Sequence, residues 1–162
     1  MTTRQEAAES LMATVRRTEE IAARLTEADL GRTVHEGGWN VKQVFAHLAS
    51  LGASPAFFIG MAKQAASGGS GGGGMGPGFD IDAFNKQQVE LRKERSMAEL
   101  LAEYRQGREQ GIQVMESTPD EVLSKEIWNF QEGTSPVLEV IQTGAAEHDM
   151  GHLDEVESAL RG

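Results

Sequence analysis

Gly38-Trp39-Asn40-Val41-Lys42-Gln43-Val44-Phe45-Ala46-His47-Leu48-Ala49 reads as the start of a core helix. Asn40 can accept from the free backbone N–H groups of a first turn, and Gln43, three residues on, can return the bond. Val41, Val44, Phe45, Leu48 and Leu51 recur at helical spacing and form one apolar stripe. His47 lies three residues after Val44 and four before Leu51, so its imidazole projects with that stripe toward the core. Pro55 lacks a backbone donor and predicts a kink, after which apolar sequence continues to about Ala66.

The same pattern extends outward on both sides. Thr3-x-x-Glu6 is a capping box, followed by Ala8, Leu11, Met12, Val15, Ala22 and Leu25 at helical spacing, which predicts a first helix over about 4–25. Residues 26–29 read as a turn and 31–38 as a loop. Residues 67–78 contain eight glycines in twelve positions and read as a flexible connector, either a lid or an inert linker. The connector lacks the Lys-Ser/Thr and the preceding strand of a phosphate-binding loop. A third helix is expected from Ile81 or Phe84, with a break near Arg95 and a restart at the Ser96-x-x-Glu99 capping box. Thr118-Pro119-Asp120-Glu121 predicts a short extra helix to about Lys125. Residues 126–134 read as a connector, and Ser135-Pro136 as cap and first position of a last helix over Pro136–Leu160. With no convincing strand, the expected fold is all-α, an antiparallel four-helix bundle in a single domain over 1–162.

Composition narrows the function. The 162 residues carry a net charge of −10, which disfavours a phosphate backbone as partner. No 18-residue run is uniformly apolar and the N-terminus has no signal-like apolar region, so a cytoplasmic protein without a membrane partner is expected. There is no cysteine, so any thiol chemistry must use an external thiol. The seven methionines read as core fillers, and Trp39 as packing at a helix start.

Four histidines are present. His148 and His152 are four residues apart, so they differ by roughly 40° around a helix axis and can share one ion. They extend the row Ile141, Gly144, Ala145, His148, His152, Val156, taken as the buried face. His47 occupies the corresponding face of the second helix, and bundles build metal sites from facing helices. Three neutral imidazoles leave positions open for water or substrate. The competing reading is three hydrogen-bonded core histidines. A zinc-protease reading of His148-Asp149-Met150-Gly151-His152 fits poorly, because aspartate replaces the glutamate base and no histidine follows. His35, in the loop, stands apart from the cluster.

The segment Gly38–Ala49, with His47 near its end, resembles the signature of the DinB/YfiT-like metalloenzyme superfamily. Within it, Asp82-Ala83-Phe84-Asn85, Val89-Glu90-Leu91-Arg92, Ser96-Met97-Ala98-Glu99-Leu100-Leu101 and Glu147-His148-x-x-x-His152 are similar to the mycothiol-dependent maleylpyruvate isomerase group. The likeness spans essentially the whole chain. It implies a four-helix bundle holding a divalent ion, zinc or nickel, on His47, His148 and His152. Some isomerase relatives carry a glutamate where this chain has one of the helix-4 histidines.

Three functions follow as expectations. The first is an S-transferase or isomerase in which the metal activates a low-molecular-weight thiol, mycothiol or bacillithiol, toward a small electrophile. Asn85 and Arg92, seven residues apart, are candidates to bind the thiol or a substrate carboxylate, with a helix-start polar residue and a surface cation as the plainer reading. The second is a metal-dependent hydrolase, with Asp149 or Glu155 as base or as orienter of a histidine. The third is a non-catalytic metal-binding or stress-related protein. A homodimer is compatible with any of them.

Overall fold

A computed structural model of the chain describes residues 1–35, 38–72, 78–131 and 133–162. It is mostly helical. Helix α1 spans Arg4–Arg24, opened by the reciprocal Thr3–Glu6 capping box. Ala7, Leu11, Thr14, Val15, Thr18 and Ile21 form its buried stripe. Thr26–Asp29 closes a second capping box on a single helical turn, α2 (Glu27–Leu30), where the sequence suggested only a turn.

The second helix of the sequence reading divides into α3 (Val41–Leu51) and α4 (Ser54–Ala66). The division falls at Gly52-Ala53, ahead of the expected kink, and Pro55 sits harmlessly in the first turn of α4. The cause lies on another helix. A Cβ on Gly107 would stand 2.4 Å from the Gly52 carbonyl carbon, and one on Gly52 would stand 3.0 Å from the Tyr104 carbonyl oxygen. The two backbones touch through glycine, and the chain turns at the point of contact. By length and composition Val41–Ala66 is apolar enough to cross a membrane, contrary to the sequence expectation. In the fold, 61% of its most apolar window is buried against the other helices.

Helix α5 (Ile81–Glu90) is capped by Asp80 and buries only Val89. It ends before Arg92, so Asn85 and Arg92 do not share a helical face as expected. Helix α6 (Met97–Ser117) starts at the Ser96–Glu99 capping box and packs against α1, α3 and α4. A short α7 (Asp120–Leu123) follows.

The stretch read as a connector contains strand instead. Strand β1 (Glu126–Trp128) pairs antiparallel with β2 (Thr134–Pro136), with Ile127 opposite Ser135. Ile127 is buried, and Trp128 and Phe130 pack on the same core, so side-chain burial stabilises a hairpin whose polar turn residues masked it. Ser135-Pro136 therefore ends a strand, and helix α8 begins at Val137.

Helices α8 (Val137–Ile141) and α9 (His148–Arg161) form one column joined by a π-helical turn, Gln142–Glu147. A π turn takes about one residue more than an α turn, so it rotates the faces beyond it. The inward positions after the turn are Asp149, Leu153 and Val156. His148 and His152 are thereby turned off the buried face on which the sequence reading put them. Their side chains are 38% and 20% exposed.

The apolar core has two parts. One joins the N-terminal half of α1 to α4, α7, the hairpin and α8. The other joins the C-terminal half of α1 to α3, α6 and α9. Thr14, Arg108 and Asp149 each fall in sequence between members of the two parts, and they fill the seam with polar groups.

Candidate metal centre

His47 arrives from the middle of α3 and is 1% exposed. His148 and His152 arrive from the first two turns of α9. One ring nitrogen from each lies within 4.8 Å of the others. The ring centroids are 4.9 Å apart for His47–His152, 4.6 Å for His148–His152 and 5.6 Å for His47–His148. The three expected ligands are thus gathered at one point between α3 and α9.

The surroundings set the state of each ring. His148 Nδ1 is 3.0 Å from Asp149 Oδ1. A carboxylate only accepts, so Nδ1 carries the proton and Nε2 keeps its lone pair. His47 Nδ1 and His152 Nδ1 are buried and have no hydrogen-bond partner. His152 Nδ1 lies 3.4 Å from a Glu155 carboxylate oxygen, and Glu155 also stands 3.5 Å from His35 Nδ1. Burial pushes the His47 pKa down to about 3, helped by the neighbouring His152 and His148. Burial and His148 also lower that of His152, against the pull of Glu155. Neutral imidazoles with unpartnered buried nitrogens are costly in a purely structural role and suited to a cation. The donor set therefore fits a divalent ion.

Behind His148 stands a buried polar network. Asp149 is wholly buried and ion-paired with Arg108 through Oδ2. The Tyr104 hydroxyl donates to the same oxygen at 2.5 Å and lies 2.9 Å from Thr14 Oγ1. Arg108 Nη1 donates to the carbonyl oxygens of Leu51 and Gly52, at 3.2 and 3.3 Å, and to Ser54 Oγ at 3.2 Å. Burial opposes the Asp149 charge, but Arg108 and the bonds from His148 and Tyr104 outweigh it and hold the carboxyl below its usual range. Burial and Asp149 push the Tyr104 phenol up. Asp149 thus fixes one imidazole while its own oxygens are fully engaged. Sequence reading missed Tyr104 and Arg108 as parts of the site. The signal was present: Leu100, Tyr104, Arg108, Gly111 and Met115 form one helical row with a cation in its middle.

A cavity of about 480 Å³ opens on His47 and His148. Phe57, Phe58, Phe79, Phe84 and Phe130 line it with aromatic rings, and Asn85, Ser50 and Thr143 supply polar groups. None of these rings was expected at the site. A second cavity, of about 500 Å³, lies beside Trp39, whose ring centroid is 4.8 Å from that of His47. Asn85 lines both cavities. Arg92 lines neither: it is held by Glu103 at 2.7 Å and by Gln88 at 2.9 Å. Residues 73–77 of the glycine-rich connector, read as either a lid or an inert linker, lie outside the described residues.

With this geometry in view, the comparisons are direct. The family model of the DinB superfamily matches residues 10–156, and the chain belongs to that superfamily. Among solved structures it is similar to mycothiol-dependent maleylpyruvate isomerase, with a TM-score of 0.70 at 13% identity over 96% of this chain. It is likewise similar to a histidine-to-alanine mutant of mycothiol-dependent maleylpyruvate isomerase, with a TM-score of 0.72 at 13% identity over 96% of this chain. The match covers 61% of each isomerase chain. At that identity the likeness is one of fold. No curated protein sequence matches significantly.

Proposed function

We propose that the protein is a divalent-metal enzyme that joins a low-molecular-weight thiol to a small electrophile, as an S-transferase or an isomerase. One observation carries the reading: three imidazoles from two helices present nitrogens within 4.8 Å of one another, and two of them, His47 and His148, line a cavity of substrate size. His47, His148 and His152 would hold the ion, zinc or nickel by their ligand chemistry. A bound divalent cation lowers the pKa of a coordinated thiol, which makes the sulfur nucleophilic near neutral pH.

The chain's own residues supply the rest. Asp149 holds the His148 tautomer and orients its ring, with Arg108 and Tyr104 holding Asp149 in turn. Asn85, between the two cavities, can donate its amide to a reactant in either. Arg92, locked to Glu103, anchors the end of α5 to α6. The phenylalanine walls offer a thiolate few hydrogen-bond donors, so it would be less well solvated there than in open water. The absence of cysteine fits a thiol supplied from outside, with mycothiol or bacillithiol as the natural candidates. We also read the helical columns as an antiparallel four-helix bundle, in a cytoplasmic protein that can form a homodimer.

A hydrolase is the less favoured reading. Both Asp149 oxygens are engaged, which leaves only Glu155 as a base. A non-catalytic metal-binding protein is the third. The decisive experiment starts with elemental mass spectrometry of the purified, untagged protein beside a His148→Ala/His152→Ala variant. About one ion per chain in the wild type and none in the variant is expected. Loss of an added electrophile is then followed with mycothiol, with bacillithiol and with neither. Turnover without thiol would replace this reading with the hydrolase. No turnover under any condition would leave the binding protein.

A further inference from the structure

We propose that the cavity beside the histidines takes a neutral, apolar, ring-containing electrophile and not a dicarboxylate. This names the substrate class of the site just described. It rests on the thiol reading only for the identity of the reacting atom.

The first support is the cavity wall. Six large hydrophobic side chains are exposed among the described residues, and four of them, Phe57, Phe79, Ile81 and Phe84, line this one cavity. Exposed apolar groups gathered at one opening mark a place that is covered in use. The buried ring of Phe58 and the partly buried ring of Phe130, 5.2 Å apart, continue the wall inward. The patch is continuous with His47 and His148, so an occupant would abut the histidines.

Charge supplies the second support. Among the described residues, no Lys, Arg, Asp or Glu lines the cavity; its polar groups are amides, hydroxyls and imidazoles. Positions 73–77 and 132 add no Lys or Arg in the sequence. Arg108 reaches Ser54 at the wall, but its guanidinium is buried against Asp149. A dicarboxylate entering here would shed water from two charges and find at most one cation, the metal. The charged side chains gather in the neighbouring cavity, around Asp82, Lys86 and Glu90. That division leaves the described wall of the aromatic cavity free of fixed charge.

The test uses N-phenyl-1-naphthylamine, a neutral apolar fluorophore, titrated into zinc-loaded protein with maleate as competitor. One probe per chain and no displacement by millimolar maleate are expected. Gly144 lines the cavity, and a Cβ there would meet only ordinary contacts, 3.7 Å from Val140 and 3.9 Å from Phe58. Gly144→Leu thus fills free space and should weaken the probe about tenfold or more, with metal content unchanged. Phe84→Ser removes a ring that is 41% exposed, so the fold does not depend on it, and it should also weaken binding. A probe that does not bind, that binds equally to both variants, or that maleate displaces would overturn the proposal. The titration is repeated without metal to separate the two readings. Probe binding retained in a protein that never takes up metal sinks the metal–thiol reading alone. Metal uptake without probe binding sinks this one alone.

Discussion

His47 and the Arg108–Asp149 pair hold the residues whose chemistry departs furthest from water. In the metal-free protein the folded state keeps His47 neutral down to about pH 3, against 6.5 for a free imidazole. Below pH 6.5 the unfolded chain takes up a proton that the folded chain refuses, so stability falls as pH falls. The slope is about 1.4 kcal/mol per pH unit for one proton. Urea unfolding in a chelator at pH 7 and at pH 4.5 should show this loss. His47→Gln should lose less between the two pH values than the wild type; an equal loss would place the proton elsewhere. Arg108→Met strands a buried carboxylate and should cost about 3–5 kcal/mol. Arg108→Met/Asp149→Leu, which removes both charges, should recover much of that stability in the same unfolding assay. It should still weaken metal binding by about 10–100-fold, because His148 loses its orienting partner.

At the scale of elements, the decisive contact is between α6 and the α3–α4 corner. Gly107 has no room for a Cβ, because backbone atoms of Gly52 and Ala53 would stand 2.4 and 2.6 Å away. Gly107→Ala should therefore destabilise by about 1–3 kcal/mol, although alanine is the better helix former. Gly60, inside α4 with nothing within 4 Å of a Cβ, provides the control. Gly60→Ala should stabilise by up to about 1 kcal/mol. Thermal unfolding of the two variants side by side decides the matter: equal shifts would mean that the helices do not meet through Gly107. The π turn has a comparable influence on the site. By rotating α9 it gives Asp149 the inward position and leaves His148 lining the cavity.

At the scale of the whole molecule, the histidine cluster ties α3 to α9, two helices that also share one part of the core. A ligand that binds only the folded state stabilises it by about 2.7 kcal/mol at a hundredfold excess over its Kd. Excess zinc or nickel should accordingly raise the thermal midpoint, and a chelator should reverse the rise. His148→Ala/His152→Ala should not respond. An equal rise in that variant would move the metal away from the cluster.

Much of this was legible along the chain. Helices α1, α3 and α6 announced themselves through an apolar stripe and a capping box, because both depend on residues only three or four positions apart. The grouping of His148 with His152 was legible for the same reason, since residues four apart lie one turn apart on a helix, although the face they occupy was not. The hairpin was not, since three-residue strands carry too short an alternation to compete with the polar residues around them. Nor was the break at Gly52, whose cause is a glycine fifty-five positions away on α6. The amino-acid sequence alone determined the long helices and the His148–His152 spacing, which are set by local periodicity, and the family, which is carried by the motifs around His47 and His148. Tertiary structure alone decided which way α9 faces, what holds Asp149 and what lines the cavity. Those depend on the π turn and on contacts between residues far apart in the chain, which no local pattern encodes.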